Sequence, residues 1–180
     1  MHILQFDGMH RFVHEEAGKA GLLGYGWFIL NDKVEVARGF GLFAQTHTAN
    51  SNIAEYLALI EGLEALTDLK IRNGSIEIRG DAKCVIDQMR GVASVSSLPT
   101  RKLHRRAKRF ADRFNSLTWT WVPRKENKLA DQLSRRGLRQ LHGMPLAYEK
   151  AINQLNLASV ARRGLISLID LRVYTPAECT

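Results

Sequence analysis

The sequence predicts an α/β fold, a five-stranded mixed sheet flanked by helices. Two strand-like runs, residues 24–31 and 34–42, meet at Asn31-Asp32-Lys33, turn-forming residues that favour an antiparallel hairpin. Beyond residue 55 helical and strand-like segments alternate, which asks for parallel crossovers. A hairpin and crossovers in one sheet make it mixed. At 180 residues and 45% hydrophobic content the chain can bury a full core, as one domain with an appendage.

The first strand is the apolar run His2 to Asp7, closed by an acid before the flexible Gly8, and residues 24–31 and 34–42 supply the hairpin. A helix over 52–66 opens at the polar turn Asn50-Ser51-Asn52 and carries Glu55 in its first turn. Ile76-Glu77-Ile78-Arg79-Gly80 alternates like a strand over 75–80, and a helical pattern over 82–90 begins just past Asp81. In the helix expected over 98–115, Leu103, Ala107, Phe110 and Phe114 form one apolar stripe. A strand over 117–122 follows, in which the alternating Trp119 and Trp121 are expected on the core or sheet face rather than as base-stacking platforms. A last helix, 127–141, carries Asp131 near its start.

Residues 142–180 form an extension expected to be helical and packed on the domain or on a partner. Leu146, Ile152, Leu155, Val160 and Ala161 partly fit a helical face, and Leu165 to Leu171 is too apolar to stay exposed. Packing back, self-association and docking on another protein all satisfy it.

The formal charge is +8, from 26 Lys and Arg against 18 Asp and Glu. Basic chains attract polyanions. The excess concentrates in helix 98–115, where Arg101, Lys102, Arg105, Arg106, Lys108, Arg109 and Arg113 face the single acid Asp112. Like charges four residues apart repel, and phosphates would compensate that cost. Cys84 and Cys179 are far apart and lack metal-ligand spacing, which fits reduced thiols. The N-terminus lacks a leader pattern and no apolar run is long enough to span a bilayer. The expectation is a cytoplasmic protein without membrane contact.

Against this basic background, Asp7, Glu55, Asp81 and Asp131 stand in separate segments, each where a strand ends or a helix begins. Singly they read as turn or cap residues. Together they suit a divalent-metal nuclease site. Phosphodiester cleavage needs a more basic water, a stabilised leaving oxygen and charge neutralisation, and two hard cations about 4 Å apart on carboxylate ligands provide all three. Grouped acids repel one another, so at least one should have a raised pKa without metal.

Four segments carry a family resemblance: Phe6-Asp7-Gly8; Asn52-Ile53-Ala54-Glu55-Tyr56 with Leu59 to Leu63; Ile78-Arg79-Gly80-Asp81 with Val85 to Met89; and Trp121-Val122-Pro123-Arg124 with Asn127, Ala130, Asp131 and Leu133. Over residues 1–141 the chain resembles the ribonuclease H family, type 1. The resemblance implies endonucleolytic cleavage of the RNA strand of RNA–DNA hybrids, leaving 5′-phosphate and 3′-hydroxyl. It implies two Mg²⁺ ions, with Mn²⁺ as substitute, Asp7 bridging both, Glu55 and Asp81 on one and Asp131 on the other.

Substrate contacts are implied for Gly8, Asn127, and the Asn50-Ser51-Asn52 turn, where Asn52 would read the RNA 2′-hydroxyl. The basic helix, through Arg101, Lys102, Arg105, Arg106 and Arg109, corresponds to the region where bacterial members carry a basic handle. Double-stranded RNA is a second candidate partner.

Two departures stand out. Met9 to Leu23, with Glu15, Glu16 and Lys19, looks like a longer loop without the family's Asn-Pro-Gly turn. Pro123-Arg124-Lys125-Glu126-Asn127 lacks the His that many members place there, as in the archaeal-type branch, in which an Arg serves instead, so Arg124 is the catalytic candidate. The histidines (2, 10, 14, 47, 104 and 142) receive no role. Two alternatives share the fold: a weakly active or inactive module binding hybrids or double-stranded RNA, and a nuclease acting on DNA.

Overall fold

A computed structural model describes residues 1–14, 20–45, 48–71, 74–160 and 164–175, without the side chains of 14, 20 and 154–160. Glu15, Glu16, Lys19, His47, Ala161 and Cys179 lie outside the described residues, as do the side chains of His14, Leu155 and Val160. The strands are β1 (His2–His14), β2 (Ala20–Asn31), β3 (Val34–Gln45), β4 (Ile76–Gly80), β5 (Leu117–Trp121) and β6 (Leu165–Tyr174). The helices are α1 (Ser51–Asp68), α2 (Lys83–Met89), α3 (Leu98–Ala111), α4 (Lys128–Ser134), α5 (Arg136–His142) and α6 (Pro145–Val160), with a 3₁₀ turn at Arg124–Glu126. The sheet order is β5-β4-β1-β2-β3-β6. β5, β4 and β1 run parallel, and β1, β2, β3 and β6 pair antiparallel.

The mixed sheet has six strands rather than five. The additional strand is the apolar run 165–174, which pairs with β3 from Gln45↔Leu165 to Ala37↔Tyr174. Without it, β3 would expose a row of unpaired backbone groups along the sheet edge. A second difference concerns residues 9–23: β1 continues to His14 and β2 starts at Ala20, so most of the expected loop is an extended hairpin. Met9 and Val13 explain this, because they pack against the cluster of Leu22, Leu42 and Ala44. Asp7 therefore sits in mid-strand, and Glu55 is the fifth residue of α1, just past its first turn.

The β2–β3 hairpin turns through Asp32 (φ 46°) and Lys33 (φ 74°), the left-handed pair that matches strand twist in a two-residue loop. On one sheet face Leu4, Phe6, Trp27, Ile76 and Ile78 pack under α1, with α3 stacked outside it through Ala107. On the other face α4 and α5 cover Phe28, Phe40 and Leu42. The helix expected over 98–115 ends at Ala111, and the one expected over 127–141 divides at Arg135. Trp119 packs on the core as expected, whereas Trp121 is exposed. Among the described residues no helix is long and apolar enough to cross a membrane.

α4 lies almost on the backbone of β2, a distance set by glycine. A Cβ at Gly26 would sit 2.3 Å from the Ser134 backbone nitrogen, and one at Gly24 2.1 Å from the Ser134 carbonyl oxygen. Gly26→Ala is expected to destabilise the protein by about 3 kcal/mol, the upper range of overpacking. Urea unfolding checks this; an unchanged midpoint would mean α4 can retreat freely.

Candidate metal centre

Three backbone features bring the acids together. Parallel pairing sets Phe6 of β1 beside Gly80 of β4, so Asp81 emerges from the end of β4 next to Asp7. α1 crosses β1 at Gly8, where a Cβ would lie 2.2 Å from the Glu55 nitrogen; only glycine permits that approach. The Gly8 N–H donates to Glu55 Oε2 at 3.0 Å. As a result, Asp7, Glu55 and Asp81 each offer a carboxylate oxygen within 4.8 Å of the others.

Buried neighbours hold these groups. The Ser134 hydroxyl donates to Asp7 Oδ2 at 2.6 Å. Asn127 donates its amide to Asp81 Oδ1 at 2.7 Å and to the Phe6 carbonyl at 2.8 Å. Gln5 Nε2 in turn donates to Asn127 Oδ1 at 3.2 Å and to the Glu126 carbonyl at 3.0 Å. Asn127, expected as a substrate contact, is fully buried, and its amide ties Asp81 to β1. The cap reading of Asp81 also fails: α2 has no side-chain cap, and the Asp81 carbonyl accepts from Trp121 Nε1 at 3.0 Å.

Asp131 stands at the rim, outside the tight cluster. Arg124 reaches its Oδ1 at 2.5 Å and Arg135 its Oδ2 at 3.0 Å. Burial works against the Asp131 charge, but the bonds from Arg135 and Arg124 outweigh it and hold its pKa below the usual carboxylate range. The cluster behaves oppositely. Burial, reinforced by Asp81 and Asp131, raises Asp7 to about 7 even against the Ser134 hydrogen bond. Burial and the charges of Asp7 and Asp81 push Glu55 well above its ordinary value.

Such a site fits hard cations. Its donors are carboxylate oxygens, and crowding disfavours their charged forms until positive charge arrives. The folded state therefore holds protons that the unfolded chain releases near pH 4. Without metal, stability should fall as pH rises from about 4 through 7, by up to about 4 kcal/mol for Asp7 alone. Melting temperatures with and without Mn²⁺ check this: the metal-induced gain should grow across the same window, and a pH-independent gain would contradict it.

Of the expected substrate residues, Asn50 caps α1, its Oδ1 accepting from the Ile53 N–H at 3.0 Å. Ser51 is exposed and Asn52 half-buried at the start of that helix. On α3, Arg101, Lys102, Arg105 and Arg109 are exposed, while Arg106 is half-buried against Phe110. Sequence reasoning missed Gln5, Ser134 and Arg135. Only Arg135 was findable, four residues after Asp131 on a helix.

The reverse transcriptase-like family matches residues 6–137, from the strand of Asp7 to beyond Asp131. The chain belongs to this family of ribonuclease H-like domains. Ribonuclease HI of Halobacterium salinarum is 34% identical over 134 residues, which make up 74% of this chain and 62% of that protein. The ribonuclease H-like chain thus spans less than two thirds of that relative's length. The crystal structure of RNase H1 from the same archaeon superposes with a TM-score of 0.66 at 31% identity, over 77% of this chain and 98% of the other. LC11-RNase H1 in complex with RNA/DNA hybrid gives 0.67 at 25% identity, over 78% of this chain and 98% of that one.

Proposed function

We propose that this chain is a metal-dependent endoribonuclease that cleaves the RNA strand of RNA–DNA hybrids. The observation that carries this reading is the convergence of Asp7, Glu55 and Asp81, with Asp131 at the rim, beside the polar turn that opens α1. The hybrid bound to the similar LC11-RNase H1 supports the substrate class.

Asp7, Glu55, Asp81 and Asp131 would hold two Mg²⁺ or Mn²⁺ ions, which supply a more acidic water and neutralise charge on the phosphate. Ser134 fixes Asp7, and Asn127 fixes Asp81, so the carboxylates need little reorganisation at the moment of reaction. Water oxygen bonds to phosphorus as the P–O3′ bond breaks, and the departing O3′ takes a proton, leaving 5′-phosphate and 3′-hydroxyl ends. Arg124 is exposed beyond its bond to Asp131, so it can trade that partner for a phosphate oxygen as product leaves. Asn52, half-buried at the start of α1, would meet a 2′-hydroxyl, and the exposed α3 cations would meet backbone phosphates. In this reading residues 1–141 carry the catalytic unit, and within the extension 142–180 it is β6 that covers the sheet edge and α6 that packs on α5.

Labelling each strand of a hybrid in turn tests the assignment. Fragments from the RNA strand alone, carrying 5′-phosphates, are expected. Cuts in the DNA strand would point to a DNA nuclease, and cuts in double-stranded RNA would widen the substrate class.

A further inference from the structure

We infer that the α4–α5 face is a second phosphate track, carrying the hybrid onward from the cleavage site on the side opposite α3. The inference rests on the hybrid-cleaving reading. A depression lined by Arg124, Lys125, Lys128, Asp131 and Gln132 touches the rim of the carboxylate cluster. Gln132 also lines a groove that runs on between α4, α5 and β3, bordered by Arg38, Arg136, Arg139 and Gln140. The two form one path from Asp131 to the outer sheet.

The charges along it are unequally satisfied. Arg124 and Arg135 share Asp131, and Arg38 pairs with Glu35. Among the described residues Arg136 and Arg139 have no acidic partner. Arg136 lies over the Phe40 ring at 4.7 Å, and Arg139 donates to the Gln132 carbonyl at 3.0 Å. Both guanidiniums are thus pre-positioned by neutral groups, which orders them without neutralising them. Arg136 and Arg139, three residues apart on α5, are like charges that repel unless anions intervene. A row of phosphates supplies those anions, and the planar guanidinium suits them.

The location selects the ligand. α4 and α5 cover the sheet face opposite α1, whereas α3 is stacked on α1, so cations flank the carboxylates on both sides. A short hybrid filling the site and the α3 flank need not reach Arg136 and Arg139. A longer one passes over them.

The test uses the full chain carrying Asp81→Asn to prevent cleavage, with hybrids of about one and about three helical turns. Adding Arg136→Gln and Arg139→Gln should weaken binding of the long hybrid about tenfold. It should also lower its salt slope by about 2, at 0.9 per phosphate contact. The short hybrid should change less than about twofold, far below the loss of two phosphate contacts. Arg139→Glu alone, at an exposed position, should act in the same direction without risk to the fold, and Arg136→Lys should largely retain the slope. Equal losses on both lengths, or an unchanged slope, would overturn the track. If the wild-type chain cleaves hybrids while these variants bind as before, this inference alone falls. If it neither binds nor cleaves them, the functional reading falls with it.

Discussion

Asp7→Asn is expected to lower hybrid cleavage by at least about a thousandfold, roughly 4 kcal/mol of transition-state stabilisation, while leaving the fold intact. Asn has the same shape, and its oxygen can accept the Ser134 hydroxyl that now bonds Asp7 at 2.6 Å. It lacks the charge that Asp7, in the proposed function, would offer to the metal ions. The same loss should help the metal-free protein, because Asp7 ionises only near pH 7 and its charge is costly above that. At pH 8 the variant should melt higher than the metal-free wild type, by about 2–4 °C per kcal/mol recovered, and gain less from Mn²⁺. Initial rates with thermal melts decide it. Activity within tenfold of wild type would remove Asp7 from the chemistry.

Arg172→Ala should cause a large loss of stability away from the site. From β6 this side chain reaches Glu61 at 2.7 Å, Glu64 at 2.6 Å and Asp68 at 3.0 Å, gathering the acids along the C-terminal half of α1. Glu61 is 6% exposed, and burial raises its pKa even with Arg172 beside it. Removing the cation strands a buried carboxylate, which costs about 3 kcal/mol, toward the low end for a buried pair because Arg172 is partly solvated. The sign with pH follows. Glu61 can protonate in the variant, so the deficit should be greatest at neutral pH and shrink as pH falls toward about 4. A loss independent of pH would mean Arg172 acts by packing alone. Because this arginine lies on β6, the experiment also measures how firmly the final strand is fastened to the domain.

The carboxylates were legible in the sequence because each interrupts an apolar pattern, although Asp7 lies in mid-strand and Glu55 past the first turn of α1 rather than at the expected element boundaries. The β2–β3 hairpin was legible because Asp32 and Lys33 follow a turn residue. What holds the acids was not. Asn127 and Asp81 are 46 residues apart, and Ser134 and Asp7 127 apart, so neither pairing leaves a local trace. The sixth strand was missed for a related reason: Leu165 to Leu171 is apolar enough for helix or strand, and its partner edge on β3 is distant in sequence. The extended β1–β2 hairpin was hidden by the mixed polarity of Met9 to His14, whose inward residues emerge only once α5 and β3 supply a surface. Glycine was the other blind spot. Gly8 looked like a flexible position and Gly26 drew no reading at all, yet they set how closely α1 and α4 approach the sheet and hence how tightly the acids cluster.

The most direct measurement is cleavage of an end-labelled RNA–DNA hybrid in Mg²⁺ or Mn²⁺ by the wild-type chain and by Asp81→Asn, beside duplex DNA and double-stranded RNA. Wild-type protein is expected to consume the RNA of the hybrid, chelator to stop it, and Asp81→Asn to bind the hybrid without cutting it. Hybrid that is bound but left intact by the wild-type protein, or cut equally well by Asp81→Asn, would contradict the proposed function.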